Sequence, residues 1–362
     1  MKYQVKQVDY KDVIKQIAPA NKIALALAKE RMDQLVKPLG SLGKLEDISI
    51  KIAGITGNVK NKLEKKCVVI MSADNGIYEE GISSSPKEIT LLQTINMTKG
   101  ICGIGVLSKA SGSDLRVVDI GIDSDYENEK IINAKIRRGT NNFAKGPAMS
   151  TFEVEQAINT GISIISDLVE EGYQIIGTGE MGIGNTSTSS AVIMALTGAA
   201  ANEAVGRGGG LTIEDFEKKK NILENALALN KPDRENPIDV LVKVGGLDIC
   251  GLVGCFIGAA FYKVPIVVDG VISIAAALCA YRMNNNIRDY MISSHISKEP
   301  AFIIAENEMA LAPMLDMNMR LGEGTGCPLA FSIIDLACSV MNNMATFSEV
   351  SIDAAYLIDN RK

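Results

Sequence analysis

Cys67-Val68-Val69-Ile70-Met71-Ser72-Ala73-Asp74 is a short apolar run that closes on small and polar residues. It lacks polar alternation, so both faces are expected to be buried, as in a parallel strand covered by helices. The same form recurs at Leu115-Arg116-Val117-Val118-Asp119-Ile120, Tyr173-Gln174-Ile175-Ile176-Gly177, Pro265-Ile266-Val267-Val268-Asp269-Gly270 and Tyr290-Met291-Ile292-Ser293-Ser294. Helical spacing fills the intervals, over 86–99, 153–171, 186–198, 212–229, 247–262 and 272–283. Strands that alternate with helices predict an α/β fold: a mostly parallel, Rossmann-like sheet flanked by helices.

Both chain ends lack strand patterning. Residues 10–36 place apolar side chains at helical spacing with a break near Pro19, and a new helix over 44–55 follows the Pro38-Leu39-Gly40 turn. From Glu299 onward the pattern is helical again and ends in a long apolar helix over 328–344. The ends together predict a smaller all-helical domain from 1–60 and 300–362, packed beside a large α/β domain over 61–299.

Composition narrows the function. With 362 residues, 47% hydrophobic and 22% charged, the chain can bury a large core. A net charge of -6, with no basic run longer than Lys218-Lys219-Lys220, argues against nucleic acid as a partner. The seven cysteines are scattered without a C-x-x-C pair, which suits reduced, buried thiols in the cytoplasm. His295 is the only histidine, so a zinc site or a His-centred triad has little to draw on and no metal is expected. The apolar run at 249–262 is too short to span a bilayer, and the polar start MKYQVKQVDYKDV lacks the apolar core of a signal peptide.

Arg320-Leu321-Gly322-Glu323-Gly324-Thr325-Gly326 holds one carboxylate, Glu323, among three glycines. It reads either as a turn whose acid faces water or as a catalytic loop at the border of the two domains. Gly177-Thr178-Gly179-Glu180-Met181-Gly182 matches G-x-G-x-x-G after a strand. Glu180, however, would oppose a pyrophosphate, and Thr197-Gly198-Ala199 stands where a dinucleotide site needs a ribose-binding acid. Gly182 and Gly184 followed by Asn185 and Thr186 suit instead a helix N-terminus that binds one phosphate, or a tight turn with ordinary caps.

The segment 37–46 looks like a phosphate loop but has too few residues between its glycines for a Walker loop. Ligands of parallel sheets collect at strand ends, which singles out Asp74, Asn75, Glu180, Asp269 and Ser294 as a set. Asp74-Asn75-Gly76 also fits a plain turn, and Ser83-Ser84-Ser85-Pro86 fits a helix start. The glycine-rich 206–210 segment and the helix after it place Lys219 either in a cleft or on a solvated face. His295 reads as a structural, hydrogen-bonded residue.

Nine ordered blocks then carry a resemblance over nearly the whole chain: KPLGSLGKLE at 37–46, SADNG at 72–76, SPK at 85–87, GPAMS at 146–150, GEMGIGNT at 179–186, KVGG at 243–246, VDG at 268–270, SHIS at 294–297 and RLGEGTG at 320–326. The chain resembles the nicotinate-nucleotide:dimethylbenzimidazole phosphoribosyltransferase family of cobalamin synthesis. The resemblance implies transfer of phosphoribose from nicotinate mononucleotide to a benzimidazole nitrogen, with inversion from the β to the α anomer and release of nicotinate. It implies Glu323 as general base, Glu180 as a second carboxylate near the ring, Ser85 and Gln93 near the base, and Gly182, Lys219 and Ser297 near the phosphate. Asn185, Thr186, Asp269, Leu321 and Gly322 complete the expected substrate contacts. No cofactor is implied, and the assembly is expected to be a homodimer or a heterodimer with a paralogue.

One base suffices for this chemistry. Nicotinate leaves a pyridinium as a neutral ring and needs no acid, while the transition state resembles an oxocarbenium ion that a carboxylate such as Glu180 can stabilise. In this family a histidine often stands at the position of Asn75, which leaves other benzimidazoles, adenine or a phenol open as acceptors. Two rivals stand beside this reading: a dinucleotide-dependent oxidoreductase, from Gly177 to Gly182, and a non-catalytic partner of an active paralogue, against which the intact Glu323 and Glu180 argue. The phosphoribosyl reading predicts no heat of binding when NAD is titrated into the protein; a saturating isotherm would restore the dinucleotide reading.

Overall fold

The computed structural model describes residues 2–355 and 357–359; Met1, Tyr356 and 360–362, which belong to the expected helical ends, lie outside the described residues. In chain order come α1 (Tyr10–Lys15), α2 (Lys22–Gln34), α3 (Lys44–Thr56), β1 (Lys66–Ala73), α4 (Ile89–Lys99), α5 (Gly103–Ser111), β2 (Asp114–Gly121) and the short β3 (Ile132–Asn133). Next are α6 (Thr151–Glu170), β4 (Ile175–Met181), α7 (Asn185–Thr197), α8 (Ala201–Ala204), α9 (Ile213–Asn230), α10 (Pro237–Val244) and α11 (Leu247–Tyr262). The chain continues through β5 (Ile266–Val268), α12 (Val271–Met283), β6 (Met291–Ser293), α13 (Pro300–Met309) and α14 (Gly326–Asn343).

The sheet has the order β3-β2-β1-β4-β5-β6 with every pair parallel. The winding reverses between β1 and β4, so a crevice opens outside their C-terminal ends. Strand β1 is buried along its whole length, as its unbroken apolar run requires. Cys67, Val69, Met71 and Ala73 enter the core shared with α6, α11 and α12. Val68 and Ile70 point the other way, into the core shared with Ile52 of α3 and Phe331 and Ile334 of α14. The strand's two-residue period thus stitches two helical layers to one sheet.

Beyond the second layer, Ala28, Met32 and Leu35 pack on Ala53 and Met341, joining α2 to α3 and α14. Helices α1 and α13, from the same terminal segments, pack in the opposite layer, α1 on α6 and α11 and α13 on α12 and α7. Elements without a readable pattern are β3, at two residues, and α5, α8 and α10, which are short or glycine-interrupted. Helix α14 opens at Gly326, earlier than the apolar run suggested, so its N-terminus abuts the Glu323 loop. Among the described residues no helix is long and apolar enough to cross a membrane.

Helices α6 and α11 touch backbone to backbone. A Cβ on Gly161 would lie 2.0 Å from the Gly251 carbonyl oxygen, and one on Gly254 would lie 2.0 Å from that of Ile158. This contact seats α11 against the sheet and aims its first turn, with Asp248, at the strand ends. Gly254→Ala tests the balance: helix propensity alone favours alanine by about 1 kcal/mol, while overpacking against a carbonyl costs about 1–3 kcal/mol or more. The urea midpoint is expected to fall; an unchanged or raised midpoint would contradict the backbone contact.

Candidate active site

Because all strands run parallel, their C-terminal ends deliver Asp74 and Asn75, Glu180, Asp269, and Ser294 with His295 to one edge of the sheet. The loop before α14 lies across this edge in an unusual conformation. Gly322, Glu323 and Gly324 all have left-handed φ, at 85°, 62° and 86°. For glutamate that conformation costs about 1 kcal/mol, so something must hold it. Glu180 Oε1 accepts the Glu323 N–H at 3.2 Å, and Asp269 accepts the N–H groups of Gly324 (3.1 Å) and Gly326 (2.7 Å).

The strand beneath makes room. A Cβ on Gly179 would sit 2.6 Å from the Glu323 carbonyl oxygen, and one on Gly177 would sit 2.6 Å from Cys327 Cβ. The G-x-G-x-x-G match is thereby corrected: Gly177 to Met181 are strand β4 itself, not a loop, and two of its glycines admit a neighbouring chain segment rather than a pyrophosphate.

Glu323 is only 6% exposed, which removes the solvent-facing turn as an explanation. Its Oε1 accepts from Gln93 Nε2 at 2.6 Å and its Oε2 from the Ile104 N–H at 3.1 Å. Behind it, Glu180 Oε2 accepts from Asn185 Nδ2, which also reaches Asp248 Oδ2 at 3.1 Å. Asn75 Nδ2 lies 3.4 Å from the same Asp248 oxygen, and Asn75 Oδ1 accepts from Thr188 Oγ1 at 2.8 Å. The Asn75 side chain is therefore engaged inside the protein.

Burial dominates the electrostatics of these acids. It pushes Glu180 up to about 8, with Asp248 nearby adding to the rise, Asp269 up to about 7 and Asp248 up to about 6. His295 sits 2.9 Å from Ser294 Oγ and is pushed down by burial, consistent with a structural role. Among the described residues no group of three or more His, Cys, Asp and Glu side chains could hold a metal ion. All seven cysteines are buried thiols without disulfides.

Next to the acids lies a pocket of about 120 Å³ lined by Ser85, Gly182, Asn185, Thr186 and Lys219, among others. Helix α7 starts here from the left-handed Gly184 and presents its N-terminal amides. Lys219, on α9, is fully buried and donates to Thr186 Oγ1 at 3.3 Å and Gly206 O at 3.1 Å. Burial lowers its pKa to about 8. The solvated-face reading of the lysine triplet is corrected at this residue: Lys218 stays outside while Lys219 turns in. A buried ammonium beside a helix N-terminus has the charge and the donors to receive an anion.

The expected site residues thus fall into two joined groups. Gln93, Leu321, Gly322 and Glu323 gather with Glu180 and Asp269, whereas Ser85, Gly182, Asn185, Thr186 and Lys219 surround the phosphate-sized pocket. The Glu180–Asn185 hydrogen bond couples them. Ser297 is buried near Gly270, its Oγ accepting the Glu299 N–H at 3.4 Å, and is not among the side chains lining that pocket. Sequence reasoning missed Asp248 and the Gly103–Ile104 turn. Asp248 had a signal, since it is the single charge in an otherwise apolar helix; the α5 turn had none.

Comparisons with known proteins agree over almost the full length. A family described as phosphoribosyltransferase matches residues 17–352. The nicotinate-nucleotide–dimethylbenzimidazole phosphoribosyltransferase of Clostridium tetani is 52% identical over 352 residues, 97% of each chain, and that of Clostridium perfringens is 51% identical over 96% of each. The crystal structure of CobT from Thermus thermophilus superposes with a TM-score of 0.88 at 34% identity, covering 92% of this chain and 99% of that one. The chain belongs to the nicotinate-nucleotide–dimethylbenzimidazole phosphoribosyltransferase family.

Proposed function

We propose that this protein transfers the phosphoribosyl group of nicotinate mononucleotide to dimethylbenzimidazole, releasing nicotinate and forming the α-ribotide. The observation that carries the mechanism is the buried Glu323 carboxylate, joined through Glu180 and Asn185 to a single-phosphate pocket. The phosphate is held by Lys219 and the amides opening α7. The bond from C1′ to the pyridinium nitrogen breaks, its electron pair staying on nicotinate. The bond from C1′ to one benzimidazole nitrogen forms, and the proton on the other nitrogen passes to Glu323.

Each Glu323 oxygen accepts one hydrogen bond and keeps a second lone pair, so the carboxylate can take that proton. The Ile104 amide belongs to a helix backbone and stays; the half-buried Gln93 side chain can turn away from Oε1. Ionised Glu180 faces the positive charge that builds on the ribose. Leu321, 62% exposed beside Glu323, offers an apolar wall for a flat ring. Leu92, Ile101 and Val106 add exposed apolar surface on and beside the neighbouring α4 and α5, which supports a homodimer closing this side. The buried reduced cysteines support a cytoplasmic location.

Replacing the base is decisive. Glu323→Gln should lower kcat by about 10²–10⁴-fold with little change in KM for nicotinate mononucleotide; turnover near wild type, read by product mass, would sink the base assignment. For Glu180 the sign is unusual. Burial holds its proton up to about 8, above its ordinary value of 4.5, so its stabilising contribution is full below 4.5 and lost as pH rises through about 8. Wild-type kcat at saturating nucleotide should therefore climb between pH 7 and 9 as Glu180 ionises, while KM rises as Lys219, lowered to about 8, loses its charge. Glu180→Gln should show lower turnover, yet a higher urea midpoint at pH 9; a lower midpoint there would contradict the buried-charge argument.

A further inference from the structure

Helix α5 starts without a cap of its own: its N-cap residue, Cys102, makes no side-chain hydrogen bond to the first turn. The first amides of a helix need acceptors, and the acceptor here is distant in sequence. Glu323 Oε2 takes the Ile104 N–H at 3.1 Å, so the carboxylate proposed as base also caps α5. An anion at a helix N-terminus is favoured both by the hydrogen bond and by the helix dipole.

Gly103, the first residue of α5, is what lets the carboxylate come so close. Its backbone is not in the left-handed region, so conformation does not call for glycine there. Space does: a Cβ on Gly103 would lie 2.6 Å from Leu321 Cδ2, 3.1 Å from Glu323 Oε2 and 3.3 Å from Thr325 Cγ2. Leu321 ends in an exposed tip that can swing aside, so the added methyl presses on Glu323. Thr325 Cγ2 bounds the same space, its side chain fixed by the Oγ1 hydrogen bond to the Gly322 carbonyl at 2.8 Å.

We infer that Gly103 is a positioning residue for the transfer reaction: it leaves the room in which the α5 amide fixes one Glu323 oxygen while the other, which accepts from Gln93, keeps a lone pair to take the proton. The inference rests on the reading of Glu323 as the base. It assigns a catalytic consequence to a residue that carries no chemistry and that helix propensity alone would replace with alanine.

The test is a double-mutant cycle in the full-length protein, with nicotinate mononucleotide and dimethylbenzimidazole as substrates. A displacement of a few tenths of an ångström at the base predicts that Gly103→Ala lowers kcat about tenfold. KM for the nucleotide should stay within about twofold and the melting temperature should not fall, since alanine suits the helix. In a Glu323→Asp background the shorter acid no longer reaches Gly103, so the cost of Gly103→Ala should shrink to within about twofold. Wild-type kcat in Gly103→Ala, a raised KM at unchanged kcat, or the same loss in both backgrounds would overturn the positioning role. Near-normal turnover of Glu323→Gln would instead remove the base reading itself, which keeps the two failures distinct.

Discussion

Two buried carboxylates hold the loop on which the site depends. Glu180 and Asp269 accept three backbone N–H groups from residues 323, 324 and 326, and so pin three consecutive left-handed residues that would otherwise relax. The arrangement is costly twice over. The loop stores backbone strain at Glu323, and the acids lose their water, as their raised pKa values record. The parallel sheet offsets this by burying β1, β4 and β5 on both faces, so that the strand ends are rigid where the acids leave them. Stability made in the two helical layers is thus spent at one edge.

Much of the fold was legible because buried parallel strands write unbroken apolar runs. β1, β2, β4, β5 and β6 each announced themselves this way, and α11 did so through a run of apolar residues. What stayed hidden had no periodicity to show. β3 is two residues long, and α5, which contains Gly103 and Gly105, shows no readable pattern and takes its cap from the distant Glu323. The site divided in the same manner. Glu323 and Glu180 stood out as acids among glycines, where side chains can approach a ligand. Asp248 showed only as the single charge in an apolar helix, and its role rests on Asn75 and Asn185, which are distant in sequence.

The G-x-G-x-x-G match is instructive about motifs. Its spacing is right for a dinucleotide loop, but the residues extend β4 for its full length. Gly177 and Gly179 serve a close approach by the 322–327 segment, a need that imposes glycine as firmly as a phosphate would. The sheet order is nevertheless that of dinucleotide-binding folds, and the candidate site lies at the crevice where the winding reverses between β1 and β4. Topology therefore located the site, while the chemistry had to come from the side chains.

Those side chains give the crevice a sign at each end. One end has Lys219 and the α7 amides; the other has Glu180, Asp269 and Glu323, with Asp248 behind them and no lysine or arginine in contact with them among the described residues. Nicotinate mononucleotide has the matching polarity, with phosphate at one end of the ribose and a pyridinium at the other. Binding it in reverse would place phosphate among buried acids, so the charge distribution favours the proposed orientation. The same field follows the reaction. When the glycosidic bond breaks, positive charge moves from the pyridinium to the ribose, which the proposed mechanism sets beside Glu180, and the nicotinate ring loses its cationic charge. On the proposed mechanism the acids favour the bond-breaking state over the bound substrate and then weaken their hold on the leaving group, which is what differential stabilisation of a transition state requires.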